Sequence, residues 1–304
     1  MLIPDLTPEK WCPLFASLEL LEYYPFVFAS LAGVLGLLVG SFLNVVVYRL
    51  PKMMEQSWLR DAREALELPL AEEPIYNLAF PRSSCPNCGH AIRPWENIPL
   101  ISWLALRGKC SCCQSRISIR YPIVELTAAV LSFAAAWHFG FGIQSALALV
   151  MIWGAIALFL IDLDEMLLPD AIVIPGVWVG LFAAYLGVFA SLNDGFIGAV
   201  GGYLLFGVPA GAYALIRGRQ GMGNGDFKLM ALFGAWLGWQ ALPLIFLLST
   251  VSGAIIGTIA SRTREAPFPF GPFIIVSGLI ALFYEHDLYA LYGQVFGVDL
   301  GVFF

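Results

Sequence analysis

From Phe26 to Val47 the chain runs for twenty-two residues without a charged side chain. A helix rises 1.5 Å per residue, so about that many residues cross the roughly 30 Å hydrocarbon layer of a bilayer. The segment before this run is mixed and partly acidic rather than basic, and the run reads as a retained membrane span rather than a cleaved signal. Comparable apolar stretches recur at 121–140, 143–162, 171–190, 196–216, 227–239, 241–261 and 270–285, which predicts an all-α polytopic membrane protein with about eight transmembrane helices. The 227–239 stretch is short and is expected to lie tilted, re-entrant or partly in the interface. Composition agrees, because 59% of the 304 residues are hydrophobic and only 12% are charged, more apolar matter than a soluble core can bury.

Eight spans make a definite prediction about the 16 Lys and Arg residues, since positive charge near span ends is held in the cytoplasm. With the N-terminus outside, the inner segments are 48–120, 163–170, 217–228 and 262–269, and they contain every Lys and Arg except Lys10. The outer segments carry Asp5, Glu9, Glu19, Glu22, Asp194, Glu285 and Asp287. The asymmetry supports both the count and the orientation.

Against this background the stretch "IDLDEMLLPD", residues 161–170, stands out for its four acids. Asp162 falls at the inner end of the third expected span, and the turn holding Leu168, Pro169 and Asp170 leads into the fourth. A second polar stretch, "GMGNGDFKLM" from Gly221 to Met230, delivers Asp226 to the start of the sixth span from the same side. An ionisable group at the edge of a membrane span is costly and marks a functional site with a partner. Two carboxyls in a partly dry site do not both ionise easily, so one serves as general acid and the other as general base. That is aspartyl-protease chemistry, in which one carboxylate activates a water against a peptide carbonyl and the protonated partner polarises the carbonyl oxygen. Gly221, Gly223 and Gly225 suit the second stretch because they let a substrate strand approach the backbone. The bland alternative assigns Asp164, Glu165 and Asp170 to loop solvation, with Asp170 or Asp226 capping the following helix.

Other hydrolytic arrangements fare worse. His90, His138 and His286 are the three histidines and none belongs to an HExxH pair, and no G-x-S-x-G elbow is present. Lys228, beside a span, is expected to snorkel to the inner interface. An ion-coupled transporter would also place acids in spans, but near the midplane rather than at one end. A scaffold whose cysteine module recruits partners would tolerate loss of both aspartates.

The inner segment 51–120 holds "CPNCGH" and "CSCCQS". The spacing Cys85-x-x-Cys88, then Cys110-x-x-Cys113, has the form of a four-thiolate zinc ribbon. Disulfides are the alternative, disfavoured in a reducing cytoplasm. Four thiolates leave no open coordination position, so the zinc is expected to be structural, and a module with few aliphatic residues leans on the metal for its folding. Cys112 is an extra thiol inside the second knuckle, and Cys12 lies alone on the outer side.

These residues resemble the bifunctional type IV prepilin peptidases, leader peptidase and N-methyltransferase enzymes. The resemblance is carried by "GSFLNVVVYRLP" (40–51), the paired knuckles, "ENIPLISWLALRGKC" (96–110), "RYPIVELTAA" (120–129), "IDLDEMLLPD" and the Gly-x-Gly-Asp at 223–226. It implies an enzyme of the bacterial inner membrane that removes the basic leader of type IV prepilins and type II secretion pseudopilin precursors at a Gly|Phe-like junction. It then methylates the new amino terminus from S-adenosylmethionine. Asp162 and Asp226 match the family's two catalytic aspartates. The resemblance sets an outer N-terminal segment and first helix (1–50) before a cytoplasmic zinc module linked to methyl transfer (51–120) and a transmembrane peptidase core (121–304). The partners expected are these precursors and membrane lipid, with no nucleic acid. No G-x-G-x-x-G follows a predicted strand, so the methyl donor rests on the resemblance alone. The acids at 162–170 are expected to attract the basic leader. Gly36 with Gly40, and Gly253 with Gly257, have the spacing that lets helices approach closely. Glu125 is expected to be an interfacial acid facing the loop, with a contribution to the methyl-transfer site as the sharper reading.

Overall fold

The structure, a computed structural model, describes residues 21–69, 75–219, 221–260 and 268–296. The expectations for Cys12, Lys10 and the 262–267 part of the fourth inner segment lie outside the described residues. All eight apolar stretches are helical: α1 (Pro25–Ala65), then, after a short α2 (Ile101–Ala105), α3 (Arg120–Phe139), α4 (Ile143–Glu165), α5 (Asp170–Tyr185), α6 (Leu192–Arg217), α7 (Asn224–Leu237), α8 (Ala241–Ala260) and α9 (Gly271–Phe296). No β-strand occurs among the described residues, which contain two isolated bridges. Five helices, α1, α3, α4, α6 and α8, are long and apolar enough to cross a membrane. The protein is therefore an all-α membrane protein.

The first helix does not stop where its apolar run stops. It continues through Pro51 to Ala65, 41 residues in all, so its last turns carry the amphiphilic sequence Lys52–Arg63 beyond the apolar stretch. Gly36 and Gly40 set its packing against α3. A Cβ at Gly36 would stand 2.5 Å from the Ser132 Oγ and 2.6 Å from the Ala128 carbonyl oxygen, and one at Gly40 would stand 2.8 Å from the Glu125 Cα. Backbones approach this closely only when the intervening side chains are missing, which is how apolar helices associate where lipid offers no hydrophobic drive.

Helix α7 explains why its sequence looked too short for a span. At 14 residues it is about 21 Å long, and its surroundings are protein, not lipid. Phe227 and the whole run Leu229–Leu237 are buried, with α5, α6, α8 and α9 packed around it. A helix apolar on every side belongs in a core. Gly198 of α6 and Gly234 of α7 meet backbone to backbone, and a Cβ at Gly202 would fall 2.6 Å from the Met230 carbonyl oxygen. Trp236 and Phe233 fill the centre of this core, and the Trp236 indole N–H donates to the Gly176 carbonyl of α5 at 2.9 Å. The bundle thus sets the start of α7 against the turn that follows α4.

Candidate active site and cysteine cluster

The two aspartates sit where three helices begin or end on one side of the bundle. Helix α4 terminates at Met166, whose left-handed backbone (φ 51°) closes the helix while its N–H donates to the Asp162 carbonyl at 2.9 Å. The chain then turns through buried Leu168 and Pro169 into α5, Pro169 accepting the backbone N–H groups of Ile172 and Val173 at 3.0 Å each. Asp162 is only 5% exposed, and its Oδ2 has no hydrogen-bond partner. Asp226 lies in the first turn of α7, its N–H donating to the Gly223 carbonyl at 3.3 Å, and is partly buried. The two carboxyls lie within electrostatic reach of each other.

Leu168 forms the wall between the aspartate-bearing elements. A Cβ at Gly225 would stand 3.0 Å from the Leu168 Cβ, so the third glycine of the polar loop is needed for α7 to start against the α4–α5 turn. A third element completes the site: Gly271, at the start of α9, faces Asp162 and Leu168. Sequence reading missed it. The Gly-Pro pair at the start of the last apolar stretch was the available signal, since proline is favoured in the first turn of a helix.

The remaining acids have partners that were not foreseen. Arg120, at the start of α3, grips Asp164 with both guanidinium nitrogens at 2.9 and 2.6 Å. Lys228 does not snorkel alone but holds Asp170 at 2.7 and 2.8 Å. Two of the acids expected to attract a basic leader are thus already paired within the chain, whereas Glu165, exposed like them, has no ion pair among the described residues.

An open cavity of about 330 Å³ runs between α6 and α7, lined among others by Tyr203, Gly207, Gly211, Met222, Asn224 and Phe227. Its Asn224 and Phe227 belong to the first turn of α7, the turn that carries Asp226, while neither aspartate lines this mainly apolar groove.

Between α1 and α3 lies the cysteine module. The Sγ atoms of Cys85, Cys88, Cys110 and Cys113 all lie within 4.8 Å of one another. Tetrahedral zinc with bonds of about 2.3 Å places its sulfurs about 3.8 Å apart, and the Cys85 and Cys113 sulfurs are 3.8 Å apart. The two knuckles repeat one backbone design. In each, the first cysteine N–H donates to the residue five positions on (Cys85 to His90, Cys110 to Ser115, both 2.9 Å), and its carbonyl accepts the N–H of the residue four positions on. That residue takes a left-handed backbone in both cases, Gly89 at φ 71° and Gln114 at φ 59°. Hydrogen bonds from Ser115, from its hydroxyl and then its backbone, draw the Cys113 thiol down to about 6. At Cys88 the lowering hydrogen bond from the His90 backbone is outweighed by burial and the neighbouring thiols, which push that thiol up to about 12, so a metal entering the cluster would displace protons. Cys112 is exposed and outside the cluster.

Two polar anchors in this region, Glu96 and Arg49, were not anticipated, and a third, Glu125, faces the loop as expected but is buried rather than interfacial. Glu96 joins the knuckles: hydrogen bonds from Ser111 of the second, then from the Arg93 backbone and from His90 of the first, hold its carboxyl at about 2. Arg49 of α1, buried, donates to the carbonyls of Asn77 at 2.9 Å and Pro81 at 2.6 Å. Glu125 of α3 does face the loop, accepting the Leu100 N–H at 2.8 Å. Among the described residues nothing identifies a seat for a methyl donor.

Comparison with known proteins places this geometry. Residues 34–139 match the family model described as the bacterial peptidase A24 N-terminal domain, and residues 149–258 match that of the type IV leader peptidase family. No solved structure matches the chain. A Pseudomonas aeruginosa protein named prepilin leader peptidase/N-methyltransferase is 53% identical over 92% of this chain and 98% of its own length. A Pseudomonas putida protein of the same name is 50% identical over 90% and 96%, and one from Aeromonas hydrophila is 47% identical over 89% and 96%. With its matched halves carrying the cysteine module and the aspartate pair, this chain belongs to the type IV leader peptidase family.

Proposed function

We propose that the protein is a prepilin leader peptidase and N-methyltransferase of the bacterial inner membrane, with Asp162 and Asp226 as the catalytic pair. The observation that carries the peptidase reading is the convergence of two carboxyls from separate helix ends, one of them buried with an unpartnered oxygen. A buried unpartnered carboxylate oxygen costs folding free energy, and a water or substrate group supplies the missing partner. One carboxylate takes a proton from the attacking water as its oxygen bonds to the peptide carbonyl carbon. The other, protonated, hydrogen-bonds the carbonyl oxygen, and the pair returns a proton to the departing amine. The groove along α6 and α7 takes the apolar segment that follows the cut, a reading supported by its largely apolar lining and by its position along α6, a helix long and apolar enough to cross a membrane, next to the turn that carries Asp226.

The inner membrane, an outside N-terminus and a cytoplasmic site follow from the distribution of Lys and Arg. The segments 1–50, 51–120 and 121–304 are assigned as outer segment with first helix, zinc module and peptidase core. The donor set fits zinc: four convergent thiols, two of them buried, with no position left for substrate, so its role is to hold the module's fold. The relatives' name implies a methyl donor, S-adenosylmethionine, but no described residues form a recognisable site for it, and no step is derived through it.

The test incubates purified protein and its Asp162→Asn and Asp226→Asn variants with a leader-bearing pilin precursor and S-adenosylmethionine, reading product masses. Loss of the leader plus one methyl with the parent, and no cleavage with either variant, is expected. Cleavage surviving in a variant removes that aspartate from the mechanism.

A further inference from the structure

The peptidase mechanism as derived uses the ends of α4 and α7. It leaves the amino end of α9 without a role, although this end is pressed against the pair. Three observations converge there. The Asp162 Oδ2 is buried and has no partner. The Gly271 backbone lies beside the same carboxyl, and Oδ2 is still left without a hydrogen-bond partner. A side chain at Gly271 would not fit: its Cβ would stand 2.5 Å from Oδ2 and 3.1 Å from Cγ of Asp162.

The local sequence isolates that one donor. The first N–H groups of a helix lack partners inside it. Here Pro272 has none to give, and the Phe273 and Ile274 N–H groups turn back to the Phe270 carbonyl at 3.1 and 3.5 Å. Among the described residues, Gly271 therefore has the N–H of this turn that is not turned back to Phe270, and it lies on the Asp162 side. Leu168 stands there too: its Cδ1 would lie 3.4 Å from the added Cβ, and the same side chain packs on Gly225 beside Asp226. One leucine thus lies beside two glycines, each sitting against one of the aspartate-bearing turns.

The geometry points to Gly271 as the positioning residue of the aspartate pair: its missing side chain lets α9 hold the Asp162 carboxyl in place while leaving Oδ2 open to a water from outside the chain. This rests on the dyad reading above. Catalytic hydrogen bonds are often long before substrate arrives and tighten in the complex, so a loose N–H to carboxyl contact is the form such a device takes at rest. Misplacement of a reacting group by about 1 Å can cost about 100-fold in rate, and an added methyl at 2.5 Å forces a shift of that order.

The experiment measures kcat and KM for prepilin cleavage, per zinc-loaded molecule, in the parent, Gly271→Ala and Gly278→Ala, with thermal midpoints alongside. Gly278 lies two turns along the same helix, where a Cβ would collide with the Phe233 ring in the core. Gly271→Ala is expected to lower kcat about 100-fold with KM and midpoint close to the parent, whereas Gly278→Ala lowers the midpoint without that selective loss of kcat. A Gly271→Ala enzyme with parental kcat, or one whose loss merely tracks its midpoint as in Gly278→Ala, overturns the proposal. Should Gly271→Ala not accumulate, Leu168→Ala/Gly271→Ala relieves the contact with Leu168 but not that with Asp162. A folded double variant still defective in kcat relative to Leu168→Ala upholds the role, and one matching Leu168→Ala overturns it. Asp162→Asn and Asp226→Asn run in parallel separate the two readings: their continued cleavage would sink the dyad itself, whereas their inactivity beside a normal Gly271→Ala would sink only the positioning role.

Discussion

The core around α7 and the cysteine module are held together by opposite means. In the core, ten side chains or glycines of one 14-residue helix are buried, and glycines let α6 and α7 touch backbone to backbone. In residues 75–119 the buried positions are Cys85, Pro99, Gly108 and Cys110, with no buried aliphatic side chain. The first region is stabilised by close packing, so it answers to volume. The second is stabilised by directed bonds, so it answers to ligands, protons and salt. The aspartate pair belongs to the first kind of region, which suits chemistry that depends on placement to a fraction of an ångström.

The largest expected effect breaks the comparison at the proposed zinc. Structural zinc contributes on the order of 10–16 kcal/mol of apparent binding free energy in zinc-finger peptides. A strong chelator, or Cys110→Ser, should therefore make residues 75–119 sensitive to limited proteolysis while α4 to α7 stay protected. Equal protection of both regions after zinc removal would show that the module has a core of its own. Next in size, Asp162→Asn and Asp226→Asn should each lower the cleavage rate by about 10²- to 10⁴-fold, with zinc content and helical circular dichroism unchanged.

Volume should separate the regions third. Gly202→Val, inserted where a Cβ alone would lie 2.6 Å from the Met230 carbonyl oxygen, should cost at least the 1–3 kcal/mol typical of an overfilled core. Gly89→Ala meets nothing within 4 Å and should cost only the left-handed strain of about 1–2 kcal/mol. Thermal midpoints read both, and a reversed order would mean that α6 and α7 slide apart readily.

Proton dependence comes fourth. The folded Glu96 carboxyl, at about 2, lies below its ordinary value of about 4.3, so its stabilisation is present above that value and is lost as pH falls towards 2. Glu96→Gln should loosen the module at pH 7, with the difference from the parent shrinking between about pH 4.3 and 2 when compared at matched metal occupancy by proteolysis. A difference that grows on acidification contradicts the assignment. Smallest of all, Arg120→Ala removes a pair whose side chains are 42% and 31% exposed. It should cost about 0.2–1 kcal/mol, falling further in high salt. A larger loss of thermal stability would show that α3 and α4 depend on this pair for their docking.

What the sequence determined by itself was set by local chemistry. Apolar runs had to become helices because lipid and a helical core both demand internal backbone bonding, and all eight did. Paired C-x-x-C motifs announced a four-thiol cluster because two tight turns are enough to aim four sulfurs. Asp162 and Asp226 could be singled out as the proposed pair because a carboxyl at the end of an apolar run is rare. Tertiary structure decided which pieces meet. It alone showed that α7 is short because protein surrounds it, and that α1 runs on through Pro51. Arg120 and Lys228, far away in sequence, proved to neutralise Asp164 and Asp170, and Gly271, more than a hundred residues from Asp162, stands against its carboxyl. Periodicity and spacing report bonds made within a turn or two, whereas the identity of a side chain's neighbour across the bundle is fixed only when whole helices have packed.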